Sequence, residues 1–238
     1  MATSNSTNFT VTRDDIIKRA LRLLGVVAQG ETPTTAQVDE AAFALNMLAK
    51  AWQADGMPLW AIKQTSITLV SGQREYVMGI GQAIDIPKPL KIYEAFNRSS
   101  TSNVDIPMRP LTKQEYNLLG NKSSSGNPIQ FYYDPQRVSG TLSVFPVPTT
   151  VEAAANTIVI TYQRPFEDFD SATDEPDFPQ EWFDALSYGL ACRLAPEYGI
   201  PPTDRKTLWQ EMSLIKQDAL NFGLENGSMF FEVDRRSY

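Results

Sequence analysis

The 238 residues are enough for one large domain or a domain with appendages, and 42% apolar with 21% charged residues is ordinary for a globular chain. The sequence has no histidine and one cysteine, Cys192, which excludes imidazole metal ligands, Ser-His and Cys-His nucleophile activation and any internal disulfide. A net charge of −7 argues against tight neutralisation of nucleic-acid phosphates, yet it suits a surface past which nucleic acid slides.

No apolar run reaches the roughly 20 residues that cross a bilayer. The opening MATSNSTNFTVTRDD lacks the basic start and apolar stretch of a signal peptide, so a reducing interior is expected.

In chain order, residues 1–11 are rich in Ser, Thr and Asn and are expected to be loose. Thr12 is placed to cap a helix, with Asp15 at its third position and Ile16, Ile17, Ala20, Leu21 and Leu24 recurring at helical spacing before Gly25. Thr34 and Gln37 form a capping box for a second helix, whose stripe runs Val38, Ala41, Ala42, Leu45, Leu48 and Trp52. The two helices are expected to pair as a hairpin closed against Trp52, Leu59 and Trp60.

From about Thr65 the period shifts from 3.6 to 2. Ile67, Leu69, Tyr76 and Met78 alternate with polar residues across a turn at Ser71-Gly72-Gln73, and further strands are predicted over 90–96, 104–109, 129–133, 141–146 and 157–163. A short helix between them is capped by Thr112 with Glu115 and stopped by Gly120; 121–128 is a loop of turn formers. Two more helices follow. One spans Pro179–Tyr198 with Trp182, Phe183, Leu186, Leu190 and Leu194 on one face. The other is capped by Thr203 and carries Leu208, Met212, Ile215, Ala219 and Phe222 up to Gly223. The fold expected is α+β: helical hairpins at both ends packed as a bundle, a small antiparallel β domain inserted between them, and an extended C-terminal tail. The boundaries are 1–11 for the N-terminus, 12–64 and 178–223 for the bundle, 65–177 for the β-rich insert and 224–238 for the tail.

Three stretches invite a chemical reading. FEDFDSATDEPDFPQEWFD (166–184) is densely acidic, and clustered carboxylates suit a hard cation or a metal-assisted hydrolase acting on a polymer, with Asp168, Asp170 and Asp174 as candidates. Thr173 stands where a calcium loop of the EF-hand type demands glycine, which favours a solvated linker whose last acids support a helix start. GNPIQFYYDPQRVSGTLSVFPVP (126–148) is an aromatic hairpin. Phe131, Tyr132 and Tyr133 would be a stacking platform if it were a carbohydrate-binding module. Alternation instead puts Ile129, Phe131 and Tyr133 on one side to meet Leu142, Val144 and Pro146, with Tyr132 and Phe145 facing a helical layer or a neighbouring subunit. Beyond the hinge Asn226-Gly227-Ser228 stand Met229, Phe230, Phe231, Val233, Arg235, Arg236 and Tyr238, the composition of an interface segment or of a tail folding back on its own domain. No catalytic set emerges.

The layout resembles the head-to-tail adaptor proteins of short-tailed bacteriophages, the group that includes tail tubular protein A and the packaged-DNA stabilisation protein. The resemblance is carried, in order over residues 12–223, by DIIKRALRLLG, AWQADGMPLWAIKQTSITLVSGQREYVM, IDIPKPLKIYEAF, GNPIQFYYDPQ, LSVFPVP, ITYQRPFEDF and PQEWFDALSYGLACRLAPEYGIP. It implies a non-enzymatic virion protein without cofactor or metal, made in the host cytoplasm and built into the head–tail junction. Its copies would form a dodecameric ring between the portal and the tail nozzle or fibres, with DNA passing through the lumen unread and no membrane involved. It implies by position that Met229, Phe230, Phe231, Val233, Arg235, Arg236 and Tyr238 anchor the portal. The polar turn 134–140 would then meet tail components through Asp134, Gln136 and Arg137. Ring contacts need two different faces, for which the small residues Ala185, Gly189 and Ala191 or the 34–55 helix are candidates.

Overall fold

A computed structural model describes residues 5–55 and 59–223. Among the described residues there are six α-helices and two four-stranded sheets, so the chain is α+β. The described residues divide into two compact units, 5–48 with 169–223, and 49–55 with 59–168.

The first unit is helical. Helix α1 (Arg13–Leu23) starts at a reciprocal capping box between Thr12 and Asp15. It ends where Gly25, at φ 69°, lets Val26 N–H reach Leu21 O and Gly25 N–H reach Arg22 O. Helix α2 (Thr35–Asp55) opens on the Thr34–Gln37 box, with Thr34 N–H on Gln37 Oε1 at 2.9 Å. Helix α5 (Phe183–Leu194) follows a 3-10 turn over Gln180–Trp182, and α6 (Pro202–Phe222) follows α5. The predicted apolar stripes of α1, α2 and α5 are the buried ones: Ile16, Ile17, Ala20 and Leu21, then Ala41, Leu45 and Leu48, then Leu186, Leu190 and Leu194. Helix α1 packs on α5, and α5 packs on α6.

Several local expectations change. Thr203 does not cap α6, because Pro202 occupies the first helical position with its φ already suited to it; Thr203 lies inside the first turn, accepting from Thr207. Phe222 is exposed rather than part of the inner stripe. The segment expected to be loose is attached at two points: Gln180 Nε2 donates to Thr7 O at 3.2 Å, and the Phe9 and Phe183 rings stand 6.2 Å apart.

The second unit is β-rich, and it holds two sheets where one was expected. In the first, β1 (Ile62–Thr68), β8 (Asn156–Gln163), β3 (Lys91–Ser99) and β4 (Asp105–Pro107) lie side by side, all antiparallel. In the second the order is β2 (Glu75–Met78), β7 (Gly140–Phe145), β6 (Gln130–Pro135) and β5 (Arg109–Pro110), with β5 parallel to β6. One core joins them: Ile67, Ala95, Ile158, Ile160 and Tyr162 from the first sheet meet Tyr76, Met78, Phe131, Leu142 and Val144 from the second. A shift of register at Tyr93 between β3 and β8 swings that side chain to donate to Gln163 Oε1 at 2.9 Å. Two short helices complete the unit. Helix α3 (Lys113–Leu118) is capped by Thr112 and Glu115 as expected, though Leu119 rather than Gly120 is its C-cap; α4 (Thr150–Ala155) was not predicted.

Candidate functional site

The aromatic hairpin is β6 and β7, in register from Gln130–Phe145 to Pro135–Gly140. Phe131 faces inward opposite Val144, and Tyr133 opposite Leu142. Tyr133 Oη donates to Pro89 O at 2.5 Å, and burial raises its phenol pKa. Tyr132 points the other way and stacks on Tyr116 of α3, with ring centroids 4.9 Å apart at 19°. The helical layer it meets is thus inside its own unit. Ile129 does not join the inner row: it precedes β6 and is 47% exposed. The three consecutive aromatics therefore make no common stacking platform, because strand alternation separates Tyr132 from its neighbours and each ring already has a partner.

At the hairpin tip Pro135, Gln136, Arg137 and Val138 are exposed. The tip is held rather than free-standing. Lys88 Nζ donates to Gln136 O at 2.9 Å and to Arg137 O at 3.4 Å, and Gln136 Nε2 donates to Asp134 Oδ2 at 2.7 Å. Of the predicted contact residues, Arg137 presents an open side chain, while Asp134 and Gln136 spend polar atoms on each other.

The acidic stretch is a structured strap. Phe166, Phe169, Phe178 and Trp182 are buried, and α2 supplies the polar partners. Asn46 brackets Phe169, donating to its carbonyl at 3.1 Å and accepting from its N–H at 2.9 Å. Lys50 Nζ reaches Phe166 O and the Asp168 carboxylate, both at 2.6 Å, and Gln53 accepts from Phe166 N–H at 2.8 Å. Asp174 Oδ2 accepts from the N–H groups of Asp170 at 2.8 Å and Ser171 at 2.6 Å, closing a turn. Among the described residues no group of three carboxylate or thiol side chains is placed to hold a metal ion. Asp168, Asp170 and Asp174 are not assembled as ligands: one is ion-paired, one caps a turn, and Asp170 contributes backbone. Asn46, Lys50 and Gln53 were not singled out in the sequence, although their spacing of four and three residues marks one helix face.

Cys192 is half-buried; burial first, and then the charge of Glu211, push its thiol up to about 11. That is the opposite of an activated nucleophile. The small residues Ala185, Gly189 and Ala191 are buried inside the helical unit, so they offer no outer face. Large apolar side chains do stand outward on two helices: Phe43 (70% exposed) and Met47 (50%) on α2, Trp209 (58%) and Leu220 (41%) on α6. Their signal was legible, since Phe43 and Met47 fall off the predicted inner stripe. Met229, Phe230, Phe231, Val233, Arg235, Arg236 and Tyr238 lie outside the described residues. No described helix is long and apolar enough to cross a membrane.

The site is thus a set of surfaces around two packed cores. No curated protein matches the chain. The family model of the SU10 adaptor protein matches residues 11–221, from the cap of α1 to the last turn of α6, and the chain therefore belongs to the SU10 adaptor family of phage adaptor proteins.

Proposed function

We propose that the protein is a structural, non-enzymatic virion component whose copies form a dodecameric ring between the portal and the tail nozzle or tail fibres. The ring extends the DNA channel at the head–tail junction and is joined after synthesis in the host cytoplasm. The observation that carries this reading is the adaptor-family match over residues 11–221. The net charge of −7 supports it, because an acidic lumen lets DNA pass in packaging and ejection without sequence-specific binding. In this reading segments 12–64 and 178–223 form the helical bundle that carries ring contacts, and 65–177 is the inserted β-rich domain. The 224–238 tail docks on the portal through Met229, Phe230, Phe231, Val233, Arg235, Arg236 and Tyr238. The hairpin tip turns Asp134, Gln136 and Arg137 toward tail components.

The test is electron microscopy of the purified protein mixed with portal particles. A closed ring seated on the portal is expected, and absence of any ring at large excess of protein refutes the adaptor geometry. Removal of 226–238 should weaken portal binding while circular dichroism stays unchanged. Equal binding by the shortened chain refutes the role of the tail.

A further inference from the structure

We propose that the outer face of α2 around Phe43 docks on the outer face of α6 around Trp209 of a neighbouring copy of this chain. The inference rests on the ring reading above and names the contact that builds it. A ring of identical subunits needs two different, complementary faces on each copy. The helical unit carries two such faces.

At about 100° of rotation per helical residue, Met47, Asp39 and Glu40 all fall within about 60° of Phe43. All three are exposed. Lys50 also lies on this face, about 20° from Phe43, but its charge is matched within the chain by the Asp168 carboxylate at 2.6 Å. On α6 the same reckoning puts the exposed Lys206 and Leu220 within about 60° of Trp209, while Asp204, Glu211 and Asp218 fall on the far side. One face is aromatic and acidic, the other aromatic and basic. Both helices are 21 residues long, so they match over about 30 Å.

The charges choose the pairing. Two α2 faces brought together would oppose acid to acid, and two α6 faces would oppose base to base, a costly juxtaposition at an interface. Docking α2 on α6 side by side in parallel sets Asp39 and Glu40 against Lys206. It also removes two large aromatics from water, on the order of 150–250 Å² each, in the manner of interface anchors. Such a contact is head-to-tail, so it leaves each copy with one α2 face and one α6 face open until the ring closes.

Cysteine cross-linking on portal-seated assemblies of the full chain tests it, in a Cys192→Ser background with circular dichroism as the control for folding. A mixture of Met47→Cys and Trp209→Cys chains should yield a cross-linked dimer, and a chain carrying both should yield a ladder. Either single variant alone should stay monomeric on a denaturing gel. Glu40→Lys or Lys206→Glu alone should raise the concentration needed for assembly about tenfold, and the two together should restore it. Rings without the mixed cross-link, or single variants that cross-link to themselves, overturn the α2–α6 contact while the ring stands. Absence of both rings and cross-links overturns the ring reading, and this inference with it.

Discussion

Gly140 is the buried first residue of β7, paired with Pro135 on one side and Met78 on the other. The Tyr133 ring lies across it, and the Tyr133 hydroxyl is donated to Pro89 O. A Cβ added at position 140 would stand 2.5 Å from Tyr133 Cε2 and 2.6 Å from Cζ, far inside the roughly 3.5–4.0 Å of a carbon contact. Gly140→Ala therefore forces the phenol aside and takes the donor from Pro89. Overpacking costs about 1–3 kcal/mol and the broken hydrogen bond about 1 kcal/mol. Gly140 is not among the glycines with positive φ, so alanine offsets about 0.5 kcal/mol by restricting the unfolded chain. The net expectation is a loss of about 2–3 kcal/mol. Tyr133→Phe, which removes only the hydroxyl, should cost about 1 kcal/mol. With Tyr133→Ala in place the clash is gone, and a coupling of about 2 kcal/mol should appear in the double-mutant cycle. Urea denaturation followed by near-ultraviolet circular dichroism measures all four chains. A Gly140→Ala cost below about 0.5 kcal/mol, or additivity of the two substitutions, refutes the argument.

Burial raises the phenol pKa values of Tyr133, Tyr76 and Tyr162. Above about pH 10 the unfolded chain loses protons that the native one keeps, so their contribution is fully present below that pH and lost as pH rises through the folded values. The melting temperature should fall steeply above about pH 10, and less so in Tyr133→Phe. Thr12→Ala removes the hydroxyl half of the α1 capping box, which accepts from Asp15 N–H, and should cost about 1 kcal/mol, read as faster hydrogen exchange in the first turn. The same hydroxyl and N–H hold the Asp15 pKa below its usual value, so the carboxylate half of the cap is intact above about pH 4 and lost as pH falls through the lowered folded value. The difference between wild type and Thr12→Ala should therefore narrow in acid, as the hydroxyl loses its bond to the carboxylate. With its thiol pushed up to about 11, Cys192 should react with iodoacetamide at pH 8 at least about tenfold more slowly than an ordinary thiol. Unfolding in urea should restore the rate, and fast labelling of the folded protein would refute its burial.

Three helix starts were readable because Thr12 and Asp15, Thr34 and Gln37, and Thr112 and Glu115 lie three residues apart, and the chemistry of a helix start is local. The inner stripes of α1, α2 and α5 were readable for the same reason: the helical period alone puts those residues on one side. Periodicity also indicated a β-rich middle, but it carries no information about which strands share a sheet. The split into two sheets around one core arises from pairings such as β1 with β8, whose residues are about a hundred positions apart in the chain. The acidic stretch shows the same limit. Its composition suggested a solvated linker or a cation site, yet Asn46, Lys50 and Gln53 bind its backbone across more than a hundred residues. Sequence alone determined where α1, α2 and α3 begin and which faces of α1, α2 and α5 turn inward, since both follow from neighbours within one or two turns. Only the tertiary structure decided which faces remain uncovered. Phe43 was readable as outward because it falls off the inner stripe of α2, but that it and Trp209 are left uncovered depends on what packs over each helix, a result of long-range contacts that no local pattern encodes.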